Sequence, residues 1–244
     1  MIRRILLLCA ANVLYLAVTS SAQTLPYILE KPVQFDPAIN YPLVICLHGA
    51  GGRGSDNQGR GIKAYQVLRD DKNKKKYPAF LLVPQCPEGK QWVNTPWKDG
   101  SYSIDAIAIS DQLQFVSDLI DSILTVYPID KSRIYLTGQS MGGYGTWDLS
   151  LRRSELFAAI IPVCGGGDPS KAKALKGMGV WIFHGDADPT VPVSGSRDMY
   201  KALKKTRMKN LLYSELKDVG HNSWENAWNS EATPEWLFRQ RRPK

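Results

Sequence analysis

Histidine and cysteine are scarce in this chain, and their scarcity removes whole classes of chemistry. The 244 residues contain three histidines and four cysteines. No CxxC or HExxH spacing occurs, so nothing supports a metal site, and no cofactor is expected. Past residue 22 three cysteines remain, Cys46, Cys86 and Cys164, each at or near the end of an apolar segment. An odd number cannot all pair internally, and buried free cysteine behaves as a small hydrophobe. A disulfide framework is excluded, and at most one bridge can form.

Long apolar runs are missing too. The run ILLLCAANVLYLAV (5–18) is about 14 residues with Asn12 inside it, short of the roughly 20 that a bilayer span needs. Arg3 and Arg4 precede it, and Ser20 and Ala22 follow as the small residues of a cleavage site. The pattern is that of a signal peptide over 1–22, leaving a mature chain from Gln23 that is secreted or periplasmic, with no stable membrane insertion after cleavage. Cys9 lies only four apolar residues beyond Arg4, which argues against lipidation.

Charge of one sign is in modest excess. The formal charge is +8, and loss of Arg3 and Arg4 lowers it to +6. The basic clusters KNKKK (72–76), KKTRMK (204–209) and RQRRPK (239–244) fall in a predicted loop, near a helix end and on the C-terminal tail. With no recognition motif beside them they read as solvated surface, so no nucleic-acid partner is expected. A weak attraction to acidic polymers follows from the overall field.

What remains is an ordinary globular composition, 43% hydrophobic and 22% charged, at a length that suits one largish domain over 23–244. There is no internal repeat or low-complexity linker. Strand candidates are 41–49, 79–85, 133–138, 157–165, 179–185 and 211–216. Several are continuously apolar, as suits strands covered on both faces. Helix candidates at 109–127, 141–153 and 194–206 lie between them. This alternation predicts an α/β fold with a doubly wound, mainly parallel sheet, whose ligands bind at the carboxyl ends of the strands. The segment 24–35 is expected to add an antiparallel edge strand. No stretch is long enough for a separate lid domain.

The stretch YLTGQSMGGYG (135–145) sets one serine among four glycines between a predicted strand and a predicted helix. Its Gly138-Gln139-Ser140-Met141-Gly142 core has the G-x-S-x-G pattern. A nucleophile on so tight a turn takes strained backbone angles, and side chains two residues to either side would collide with the neighbouring strand and helix. The turn presents Ser140 Oγ at a helix N-terminus and offers the Met141 amide to an oxyanion.

Serine needs a histidine base and an orienting acid. His48 and His184 each precede a glycine at a strand end, the ordinary place for a structural histidine bonded to loop backbone. His221, in VGHNSW after the last strand, alone follows both Ser140 and a candidate acid, which is the order this chemistry takes on such a sheet. The loop DADPTVP offers Asp186 and Asp188. Asp188 is favoured, being farther out and fixed by Pro189, while Asp186 can bond to turn amides. The glycine-rich HGAGGRG (48–54) supplies a second oxyanion donor, Ala50 or alternatively Gly51.

Taken in order, LHGAGGRG, GQSMGGYGTW, HGDADPTVP and GHNSW resemble the α/β-hydrolase superfamily over about residues 25–238. Within it the chain is similar to small secreted serine esterases near the feruloyl and acetyl-xylan esterases and the polyhydroxybutyrate-depolymerase-like proteins. The resemblance implies an α/β-hydrolase fold, Ser140 as nucleophile, His221 as base, Asp188 as acid, and Ala50 and Met141 as oxyanion donors. The N-terminal part looks short for the superfamily, so its first strand is expected to be absent.

Trp92 and Trp97 in KQWVNTPW, and Trp224 and Trp228 in NSWENAW, fall in loops that line the expected cleft. Flat aromatic faces suit sugar rings or aromatic acyl groups. The reading is an exported serine carboxylesterase acting on an acylated carbohydrate, with Trp92, Trp97 and Trp224 as substrate contacts. The alternatives are a serine peptidase resembling prolyl oligopeptidases, for whose extra domain the chain has no room, and a silent binding module of the same fold, against which the intact Ser, Asp and His set argues.

Overall fold

The computed structural model describes residues 25–58 and 61–242. The signal-peptide reading of 1–22 therefore lies outside the described residues. In chain order the elements are β1 (Tyr27–Glu30), β2 (Tyr41–Leu47), α1 (Lys63–Leu68), α2 (Asp71–Lys76), β3 (Phe80–Pro84), α3 (Asp111–Val126), β4 (Ile129–Gln139), α4 (Met141–Arg152), β5 (Ala159–Val163), β6 (Gly179–Gly185), α5 (Ser194–Lys205), β7 (Leu211–Leu216), α6 (Trp224–Asn229) and α7 (Ala232–Arg239).

The strands form one seven-stranded sheet in the order β1-β3-β2-β4-β5-β6-β7. β1 pairs antiparallel to β3, and every other pair is parallel. This is the α/β-hydrolase fold, and the antiparallel edge strand expected within 24–35 is β1. No strand precedes it among the described residues. All seven residues of β2 are buried, because helices cover both faces of the sheet. Alternation along it divides the core. Leu43, Ile45 and Leu47 pack with Val116 and Ile120 of α3 and Met199 of α5. Val44 and Cys46 pack with Tyr65 of α1, Trp228 of α6 and Leu237 of α7.

α3 begins where the Ser110 hydroxyl accepts from the Leu113 amide at 3.1 Å, an N-cap bond. Its apolar positions Leu113, Val116, Ile120 and Ile123 recur at helical spacing and are buried. Two segments depart most from the sequence reading. β4 starts at Ile129, ahead of the expected 133, because Tyr41 pairs with Ile129 before an irregularity shifts the register. The KNKKK cluster belongs to α2 and is not loop. Asp70 caps that helix by accepting from the amides of Lys72 and Asn73, and Lys74, Lys75 and Lys76 gather at its C-terminal end, where the helix dipole favours cations.

Cys46, Cys86 and Cys164 are all buried free thiols. No helix among the described residues is long and apolar enough to cross a membrane.

Candidate active site

The loops after β2, β4, β6 and β7 meet at the carboxyl ends of the strands and bring Ala50, Ser140, Asp188 and His221 together. Ser140 follows β4 as the cap of α4, with φ 56° and ψ −121°, angles that an L-residue holds only when its surroundings fix them. The surroundings are backbone. A Cβ on Gly138 would fall 2.2 Å from the Gly142 carbonyl oxygen, and one on Gly142 2.2 Å from that of Leu47. Glycine at both positions lets β4 turn into α4 while α4 packs on the end of β2.

Ser140 Oγ lies 2.8 Å from His221 Nε2, and His221 Nδ1 lies 2.7 Å from Asp188 Oδ2. A carboxylate only accepts, so Nδ1 carries the proton, and Nε2 is left to accept from the serine hydroxyl. The Asp188 side chain is wholly buried. Burial opposes its charge, yet His184, His221 and the amides of Val191 and Thr190 together hold the carboxyl well below the usual carboxylate range. The two amides donate to Oδ1 at 2.9 and 2.8 Å. Asp186 is exposed and accepts instead from the Asp218 amide at 2.7 Å. Asp188, not Asp186, thus faces His221.

Met141 occupies the first position of α4, where an amide has no intrahelical acceptor. Ala50 opens a 3₁₀ turn over Ala50–Gly52. The preceding residue touches the Ser140 turn: a Cβ on Gly49 would lie 3.5 Å from Ser140 Cβ. His48 braces this loop. Its Nε2 accepts from the Cys86 amide at 2.8 Å, so the proton sits on Nδ1, which donates to Gly49 O at 2.6 Å. Burial lowers its pKa to about 4, and it stays neutral.

His184 bonds to loop backbone, as its position implied, but its place beside Asp188 was not legible in the sequence. Its Nδ1 is 2.7 Å from Ser196 Oγ, and its Nε2 is 3.1 Å from Val191 O and 3.4 Å from Asp188 Oδ2. The sequence signal was the four-residue spacing from Asp188, which says nothing of side-chain direction once the strand has ended.

The tryptophans divide. Trp92 does not line the cleft. It is fully buried, its Nε1 donates to His48 O at 3.0 Å, and its ring meets the His48 ring edge-on. Gly145 leaves the space it fills, since a Cβ there would sit 2.9 Å from Trp92 Cβ. Trp228 is also core. Trp97 and Trp224 are half-buried. Trp97 O accepts from Tyr144 Oη at 2.8 Å, one turn beyond Ser140, and Trp224 meets the His221 ring edge-on at 5.4 Å.

Cys164, Asp188 and His221 offer ligand atoms within 4.8 Å of one another. The Cys164 thiol is pushed up to about 12 by burial and lies 3.5 Å from His221 O, while both imidazole nitrogens have partners. A metal would need the thiolate that this environment withholds. A surface cleft of about 680 Å³ lined by Ile104, Ile109, Leu151, Arg152 and Lys171 contains none of the candidate catalytic residues.

The model of the phospholipase/carboxylesterase family matches residues 36–231. The chain is 28% identical over 151 residues to a bifunctional acetylxylan esterase/xylanase of Neocallimastix patriciarum, covering 62% of this chain and 20% of that one. It is 27% identical over 177 residues to a probable feruloyl esterase C of Aspergillus terreus, covering 71% and 58%. Among solved structures, a thermostable esterase superposes with a TM-score of 0.81 at 38% identity, covering 89% of this chain and 60% of that one. The chain thus spans only a fifth of the first relative and under two thirds of the other two.

Proposed function

The chain belongs to the phospholipase/carboxylesterase family of α/β-hydrolases, and from that membership we propose that it is a serine esterase that removes acyl groups, feruloyl or acetyl, from a polysaccharide or oligosaccharide, with Ser140, His221 and Asp188 as its triad. The observation that carries the triad is the unbroken hydrogen-bonded run from Ser140 Oγ through His221 to Asp188. Ser140 Oγ attacks the acyl carbonyl as His221 Nε2 takes its proton, and Asp188 stabilises the imidazolium. The amides of Ala50 and Met141 hold the oxyanion. His221 passes the proton to the departing alcohol oxygen, leaving acyl-Ser140. Water then attacks the acyl carbon and gives a proton to His221, and collapse returns it to Ser140 Oγ and frees the acid.

The carbohydrate part is supported by the names of the two curated relatives and by half-buried Trp224 beside His221. The N-terminal pattern over 1–22 supports export of a single catalytic domain over 23–244.

The test is hydrolysis of 4-nitrophenyl acetate, longer 4-nitrophenyl esters, methyl ferulate and acetylated xylan by the wild type and Ser140→Ala. Ser140→Ala should keep its circular dichroism and lose on the order of 10⁴-fold or more in kcat. Substantial activity in the folded variant overturns the nucleophile. Hydrolysis of the simple esters with none of ferulate or xylan overturns the carbohydrate substrate while leaving the esterase.

A further inference from the structure

Arg53 ends the turn that carries the proposed oxyanion donor, its amide donating to Ala50 O at 3.3 Å. Its side chain is half-buried, and its Nε–H donates to Lys90 O. The guanidinium lies over the Trp97 ring, 5.7 Å from the centroid. Trp97 is in turn tied through its carbonyl to Tyr144, on the first turn of the nucleophile's helix. Arg53 therefore bridges the loop after β2 and the loop after β3, held at Nε and against an aromatic face.

Among the described residues no carboxylate pairs with it. The half-buried arginines away from the cleft do have acid partners: Arg133 pairs with Asp130, Arg152 with Asp148, and Arg153 with Asp121 and Glu155. A partly desolvated cation without a counter-charge costs free energy. Arginine's planar fork, fixed at Nε and within hydrogen-bonding reach of the Cys86 thiol, carries further Nη–H donors for a carboxylate. The Trp97 face under the guanidinium is correspondingly closed to a sugar ring.

We propose that Arg53, held over Trp97, is a carboxylate subsite that makes the enzyme prefer esters bearing an anionic group beside the scissile bond, either a uronic acid in the carbohydrate alcohol or a dicarboxylic acyl group. This rests on the esterase reading of Ser140 and its cleft. The fork binds the carboxylate through its Nη–H groups, and the bond orients the ester over Ser140. Because the pair is only half-buried, added salt weakens it.

The experiment compares kcat/KM within two matched pairs. Acetylated methyl glucuronoside against acetylated methyl glucoside reports a carboxylate on the alcohol side. The 4-nitrophenyl half-ester of glutarate against 4-nitrophenyl pentanoate reports one on the acyl side. The wild type should prefer the charged member of one pair, and that pair names the source. Arg53→Gln should cut the preference about tenfold, the effect of losing one charge-assisted bond, and Arg53→Lys should retain part of it. No preference in either pair, or equal losses on both members in Arg53→Gln, overturns the subsite. Should Arg53→Gln not fold, wild-type inhibition decides: glucuronate or glutarate should compete with 4-nitrophenyl acetate better than glucose does, and lose that advantage in high salt, while equal inhibition overturns the proposal. Absence of any ester hydrolysis by the wild type would instead overturn the esterase reading beneath it.

Discussion

His184 Nε2 approaches Asp188 Oδ2 at 3.4 Å, the same oxygen that takes the His221 hydrogen bond at 2.7 Å. Two imidazoles thus converge on one buried carboxylate oxygen, one from the cleft and one from the protein interior. The interior ring is anchored by Ser196, whose hydroxyl also reaches Gly165 O at 3.1 Å. Replacing it leaves Asp188 with a buried face unsupported.

His184→Phe should therefore lower kcat about tenfold for one lost buried hydrogen bond. Active-site titration with a serine-directed inhibitor separates this from a loss of folded enzyme. An unchanged kcat per titrated site would assign His184 to packing alone.

Asp188→Asn should lose far more activity than Asp186→Asn, since only Asp188 bonds to His221 while Asp186 receives a turn amide. The pH dependence of stability gives an independent check. The folded carboxyl sits below its unfolded value of about 3.9, so it stabilises the fold above that pH and loses the contribution as pH falls through the folded value. The gap in Tm between wild type and Asp188→Asn should be widest near neutrality and close progressively below about pH 4. A gap that stays constant from neutral to strongly acid solution would contradict this.

Much of the site was legible because its constraints are short-range in sequence or set by chain order. The G-x-S-x-G spacing encodes the two backbone collisions found at Gly138 and Gly142, and three histidines left one that follows both Ser140 and an acid. Continuous apolar strands encoded a sheet covered on both faces. Other features depend on which way a side chain points, which motif spacing does not record. Trp92 and Trp97 are five residues apart in one loop, yet Trp92 enters the slot above Gly145 while Trp97 stays at the rim under Arg53. The lysine run of α2 looked like loop because its helix is held by a cap at Asp70 and buries none of its own residues.

Gly142→Ala should destabilise the fold, because its Cβ would press on the Leu47 and His48 carbonyls of the neighbouring strand end, and backbone cannot rotate away as a side chain can. Overpacking of this kind costs about 1–3 kcal/mol, a fall of several degrees in Tm. Gly51→Ala, where the added Cβ meets nothing within 4 Å, is the matched control and should melt close to wild type. Equal melting temperatures for the two variants would mean that α4 can shift off β2.

The remaining tryptophans should separate packing from recognition. Trp92→Ala removes a fully buried indole that bonds to His48 O, so it should cost about 3–5 kcal/mol of stability and lower activity on every ester alike. Trp224 is half-buried and packs edge-on against His221, so alanine there would disturb the base as well as any substrate contact. The informative change is Trp224→Phe, which keeps an aromatic edge for His221 while shortening the face offered to the cleft. It should reduce kcat/KM for a feruloylated oligosaccharide about fivefold, as for a weakened aromatic contact of roughly 1 kcal/mol, and reduce that for 4-nitrophenyl acetate less, since acetate is too small to reach the ring. Proportional losses on both substrates would make Trp224 a support for His221 and leave the sugar or hydroxycinnamoyl group to be held elsewhere in the cleft.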